Sequence, residues 1–155
     1  YCAVNALFSP FKKFKVDYST IPWCTFTDPE IARVGLNEKD ASRQGISYEV
    51  TRYEINDLDR AITDSEDQGF IKVLTKPGKD HILGATIMGC NAGNLITEYI
   101  SAMKHGFGLN KILGTIHIYP TMAEANKFVA GNWKKNHIPK KLLKLVQKFH
   151  AWRLR

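Results

Sequence analysis

A chain of 155 residues with 44% hydrophobic content has the length of one domain and enough apolar surface for one core. No run of 18 apolar residues and no charged-then-apolar leader occurs, so neither a membrane-spanning helix nor a secretory signal is expected. The net charge of +7 is local: residues 1–124 hold 13 Lys and Arg against 15 Asp and Glu, and residues 125–155 hold nine against none, a distribution that argues against a basic nucleic-acid groove spread over the fold.

The three cysteines, Cys2, Cys24 and Cys90, form no CxxC, CxxxxC or zinc-ligand spacing. The expectation is no redox disulfide, no metal site, and reduced, buried thiols in a cytoplasmic setting. Ala3 to Phe8 has the apolar spacing of a helix's last turns with no start signal before it, so residues 1–15 read as the end of a preceding domain and its linker. The main domain is then expected over residues 16–133, and residues 134–155 form a separate basic extension.

Ile21-Pro22 opens the new unit, because a helix does not readily continue through a pre-proline residue. Trp23 to Phe26 and Glu30 to Gly35 read as short strands around a Thr27-Asp28-Pro29 turn, and Asn37 can cap a helix running through Ser42 and closed by Gly45. Tyr48 to Ile55 is a strand of β-branched and aromatic residues, followed by a helical turn in the polar stretch NDLDRAITD. The clearest hairpin pairs Gly69–Lys76 with His81–Gly89 across Pro77-Gly78.

From Ala92 to His105, Leu95, Ile96, Tyr99, Ile100 and Met103 recur at helical spacing before Gly106, a C-cap candidate. A short helix is expected over Leu109 to Leu113, and another over Thr121 to Trp133, begun by a Thr121-x-x-Glu124 capping box. Strands and helices without regular alternation give an α+β class: an antiparallel β-sheet flanked by helices, with an extra C-terminal amphipathic helix.

No phosphate-cradling loop survives inspection. Gly106-Phe-Gly108 has Lys111 where a third glycine would stand, and Gly84 to Gly89 has Cys90 in place of the P-loop lysine.

Four segments in order, Val16–Ala41, Gly69–Gly89, Ala92–Gly106 and His117–Asn126, resemble the C-terminal dimerisation domain of the pyridine nucleotide-disulfide oxidoreductases, a family that includes dihydrolipoamide dehydrogenases, glutathione reductases and mercuric reductases. The resemblance spans roughly residues 14–133. It implies a homodimer whose full-length parent carries electrons from NAD(P)H through FAD to a disulfide or related acceptor, while the isolated fragment binds neither cofactor and is inert.

The family's pattern His-x-His-Pro-Thr-x-x-Glu stands here as His117-Ile118-Tyr119-Pro120-Thr121-Met122-Ala123-Glu124, with Tyr119 in the place of the catalytic histidine. The resemblance sets Tyr119 and Pro120 beside the partner subunit's flavin and redox disulfide, with Pro120 in a cis peptide. A histidine titrates near about 6.5 and a tyrosine near about 10, so Tyr119 is a poor general base by roughly 4 kcal/mol. It retains a hydroxyl that can donate a hydrogen bond or weakly ligate a soft metal ion.

Mercuric reductases resemble this sequence in placing tyrosine near this position, but their C-terminal vicinal cysteines have no counterpart after Cys90, which counts against mercuric ion as the acceptor. His117 offers a substitute base if the segment is extended, since alternate residues then face one way. Glu124 has two readings, an orienting group for a catalytic histidine or half of a helix cap. The remaining histidines, His81, His105, His137 and His150, read as structural or surface residues.

After Pro139, Leu142, Leu145, Val146, Phe149 and Trp152 fall on one helical stripe, with Lys140, Lys141, Lys144 and Lys148 largely elsewhere. The preferred reading packs the stripe on its own domain or dimer mate. The alternatives are peripheral contact of residues 134–155 with an anionic membrane or an acidic partner. If that contact were the chain's whole task, the protein would be a non-enzymatic interaction module; nucleic acid is the weakest option.

Overall fold

The structure is a computed structural model that describes residues 2–9 and 17–154. A first helix, α1 (Cys2–Phe8), precedes the main unit, and the expected linker falls largely outside the described residues. Strands β1 (Pro22–Thr25), β2 (Glu30–Gly35), β3 (Glu49–Glu54), β4 (Phe70–Thr75) and β5 (Ile82–Gly89) form a single antiparallel sheet in the order β1-β2-β5-β4-β3. The Gly69–Gly89 hairpin therefore supplies the sheet's interior, with β2 added to one side and β3 to the other.

The register explains which face is buried. Cys24, Ala32, Ile87, Ile71 and Tyr53 lie in one row across the five strands, and Val34, Ala85, Val73 and Thr51 in the next. The two rows combine small residues (Cys24, Ala32, Ala85) with branched ones (Ile87, Ile71, Val34, Val73), and helices lie on this face. Ala32, Val34, Ile71, Val73, Ala85 and Ile87 are fully buried there. The odd-numbered neighbours on β1 and β2 point the other way, where the Arg33 guanidinium sits over the Trp23 ring at 4.5 Å.

Helix α4 (Ala92–Lys104) crosses β1, β2 and β5 on the buried face, and α6 (Glu124–Asn136) covers β3 and β4 while packing on α5 (Leu109–Gly114). Tyr99 on α4 is the largest fully buried side chain among the described residues. On the opposite face, α2 (Glu38–Arg43) is tied down by Lys72 to Glu38 at 2.7 Å and by the Arg33–Asp40 ion pair; Asn37 caps it by accepting from the Asp40 amide at 2.7 Å. At Gly84 the sheet tolerates only glycine, since a Cβ there would lie 2.1 Å from the Leu36 carbonyl oxygen. A short helix, α3 (Asp59–Asp64), follows β3 and a 3-10 turn at Ile55–Asp57.

Three expectations need correction. The helix read over Thr121–Trp133 is α6 at Glu124–Asn136: a turn occupies 122–123 after the cis Tyr119–Pro120 peptide. The capping box is half made, because the Glu124 carboxylate accepts from the Thr121 amide at 3.4 Å whereas the Thr121 hydroxyl donates to the Ile118 carbonyl at 2.6 Å.

The thiols of Cys24 and Cys90, expected to be buried, are only half-buried, and burial raises the pKa of both. Finally, α7 (Lys140–Arg153) starts after Pro139, yet Leu145, Val146, Phe149 and Trp152 stay exposed, so the stripe is not packed into this domain; the side chain of Leu142 lies outside what is described.

Candidate functional site: the Tyr119–Pro120 corner

Between α5 and α6 the chain runs from Thr115 to Pro120 over the end of the helical layer. Its outward side chains are large and apolar: Ile116 is 96% exposed, Ile118 79% and Tyr119 67%. Three such residues in one short loop form a protruding knob, a feature that a solitary soluble domain rarely presents. Pro120 follows Tyr119 through a cis peptide, as the resemblance had implied.

The knob is braced from behind by His117. Its Nδ1 donates to the Thr115 carbonyl at 3.0 Å, and its Nε2 lies 3.2 Å from both carboxylate oxygens of Glu98 on α4. Both ring nitrogens face oxygen atoms. The ring is 6% exposed, so this is an enclosed contact. Glu98 Oε2 also accepts from Asn126 Nδ2 at 2.9 Å, and the same amide donates to the Leu95 carbonyl at 3.1 Å. α4, the corner and α6 thus meet at one carboxylate.

Tyr119 turns the other way. Its hydroxyl donates to Asp59 Oδ2 on α3 at 2.9 Å, and this hydrogen bond, followed by the Asp59 charge, raises the phenol pKa above the ordinary tyrosine value. A neutral phenol whose hydrogen bond already goes to a carboxylate is a still poorer base. Glu124 is buried at the foot of the corner with its carboxylate on the Thr121 amide.

Of the residues singled out in the sequence, the structure brings Tyr119 and Pro120 to the surface and sets Glu124 beneath them. It does not bring His117 to the side of Tyr119. Residues 115–120 form no strand, so alternate side chains need not face one way, and the His117 ring lies on the Thr115 carbonyl and Glu98 of α4.

Glu98, Asn126 and Asp59 were missed. Glu98 borders the apolar stripe of its helix and carries no local mark that separates it from a solvated glutamate. His137, read as structural, stacks on Trp133 and places Nε2 2.9 Å from Glu49. Among the described residues, no three His, Cys, Asp or Glu side chains converge as a metal site would require.

A five-stranded antiparallel sheet with α4, α5 and α6 on one face, α2 on the other, and an exposed apolar corner braced from behind defines an α+β domain. The chain belongs to the family of pyridine nucleotide-disulphide oxidoreductase dimerisation domains, whose pattern it matches over residues 21–129. It is 41% identical over 115 residues to the mitochondrial dihydrolipoyl dehydrogenase of Dictyostelium discoideum, covering 74% of this chain and 24% of that protein. It is 40% identical over 110 residues to the dihydrolipoyl dehydrogenase of Halobacterium salinarum, covering 71% and 23%.

The chain therefore spans about a quarter of the length of these curated relatives. Among solved structures, the HOCl-induced flavoprotein disulfide reductase of Escherichia coli superposes with a TM-score of 0.75 at 21% identity, over 84% of this chain and 30% of that one. That likeness speaks to the fold and confirms the α+β sheet-and-helix class.

Proposed function

We propose that this domain joins two subunits of a FAD-dependent NAD(P)H:disulfide oxidoreductase and sets Tyr119-Pro120 of each beside the flavin and redox disulfide of its mate. The observation that carries the reading is the corner itself: Ile116, Ile118 and Tyr119 project outward while His117 anchors the same loop inward on Glu98. Leaving three large apolar side chains in water forgoes the burial free energy that a mating surface would recover, roughly 1.5–3 kcal/mol for each one fully buried.

FAD, held by the remainder of the full-length protein, would carry electrons from NAD(P)H to the acceptor. This chain's residues fit that cofactor only from outside, since no glycine-rich loop here can cradle its phosphates and the aromatic corner is the part shaped to meet a ring edge. Tyr119 contributes a neutral hydroxyl that rests on Asp59 in the single domain and, on turning from that carboxylate, would donate its one hydrogen to a thiolate or flavin oxygen of the mate. Pro120 fixes the approach, and Glu124 holds the turn behind it. The isolated domain is expected to be inert.

A mixed-dimer experiment tests the delivery in trans. Full-length subunits carrying Tyr119→Asp are combined with subunits lacking a redox cysteine. Partial recovery of disulfide reduction in the mixture, above either homodimer, is the expected result; no recovery in verified mixed dimers rejects the arrangement.

A further inference from the structure

We propose that α7 docks the protein on an anionic lipid surface. The 14 residues Lys140–Arg153 form a helix whose described apolar side chains are left in solvent, with Leu145 65% exposed and Trp152 72%. Helices of this length are marginal in water on propensity alone and take their stability from whatever covers the apolar face. The helix therefore calls for a partner surface that this domain does not supply.

The charge pattern selects the partner. On helical geometry, Trp152, Leu145, Phe149, Leu142 and Val146 occupy one arc of roughly 120°, and positions 140, 141, 144 and 148, all lysine, occupy an adjoining arc of roughly 100°. Not one of residues 125–155 is acidic, so no carboxylate repels a negative surface. A continuous lysine flank beside an arc containing tryptophan, phenylalanine and leucine matches an in-plane interfacial helix, with the aromatic rings at headgroup depth and the ammonium groups among lipid phosphates.

An acidic protein groove would also meet the lysines. The aromatic-rich arc, open along its described length, favours the extended lipid plane over a closed groove. Among the described residues no helix is long and apolar enough to cross a membrane, so the attachment is peripheral. This inference is independent of the corner.

The test is cosedimentation of the full-length protein with vesicles of phosphatidylglycerol and phosphatidylcholine, beside vesicles of phosphatidylcholine alone. Binding to the anionic vesicles only, weakened by added salt, is expected. Lys148→Ala should weaken it about fivefold, and Phe149→Ser with Trp152→Ser about tenfold or more, with flavin content and dimer size unchanged as proof of folding.

Failure to bind, binding indifferent to lipid charge, or binding that survives deletion of 138–155 overturns the proposal. Hydrogen exchange supplies the second measurement. Amides of residues 143–154 should gain protection on adding anionic vesicles; full protection before lipid is added, which would mean that protein already covers the stripe, overturns it too. Competition by polyglutamate without any vesicle binding would identify an acidic protein instead.

Discussion

His117 and Tyr119 are two residues apart in sequence, yet they are held by carboxylates on different helices: His117 Nε2 by Glu98 of α4 at 3.2 Å and the Tyr119 hydroxyl by Asp59 of α3 at 2.9 Å. One contact braces the corner and the other holds the hydroxyl at its tip.

If the Tyr119 hydroxyl works as a donor, its replacement by histidine in the full-length protein should add an ionisation at this position that the tyrosine does not supply. With an imidazole there, kcat/KM for disulfide reduction is expected to gain a limb centred between about pH 6 and 8, the range in which histidine titrates beside a carboxylate. Tyr119→Phe should lower the rate without introducing that limb. Wild-type rates with every acceptor for Tyr119→Phe would show that the hydroxyl contributes nothing.

Asn126 tests the brace. It is 1% exposed, and its amide donates to both the Leu95 carbonyl and Glu98. Asn126→Leu removes the donor while leaving both acceptors behind, which should cost about 1–3 kcal/mol in urea unfolding. Asn126→Asp should cost more near neutral pH, because a second carboxylate would then face Glu98. Equal stability of all three proteins would mean that the polar junction contributes nothing to the fold.

The sheet was readable because its strands are short runs rich in apolar and β-branched residues bounded by turn residues, and Pro77-Gly78 marks where the hairpin turns. The start of α6 was misplaced by three residues, because Thr121-x-x-Glu124 carries the letters of a capping box while the Thr121 hydroxyl turns back to Ile118. The brace was not readable at all. Glu98 and His117 are joined only by tertiary packing, and no spacing in a single sequence reports which glutamate on a helix faces a loop. Likewise, the stripe on α7 was legible as a stripe, but periodicity cannot say whether its own domain covers it.

The exposed flank of the corner carries the dimer prediction. Ile116→Asp and Ile118→Asp each place a charge where an apolar contact with the mate is proposed, and an unpaired buried charge is costly enough to split an interface. Because both side chains lie in solvent in the single domain, the fold itself should be indifferent. Analytical ultracentrifugation of the full-length variants should show monomers with unchanged far-ultraviolet circular dichroism. Dimers as tight as wild type would remove this loop from the interface.

Alkaline pH offers a test within the domain. Desolvation, reinforced by Asp57, Asp59 and Glu124, pushes the Tyr53 pKa up to about 12. In the unfolded chain the same phenol titrates near about 10. The native state therefore holds this proton more tightly, so the contribution is complete below about pH 10 and is lost as pH rises toward 12. Urea unfolding at a series of alkaline pH values should show stability falling across this window, and Tyr53→Phe, which keeps the 5.3 Å ring contact with Phe128, should flatten the fall. Identical slopes for the two proteins would mean that the Tyr53 proton is held no more tightly in the fold than in the unfolded chain.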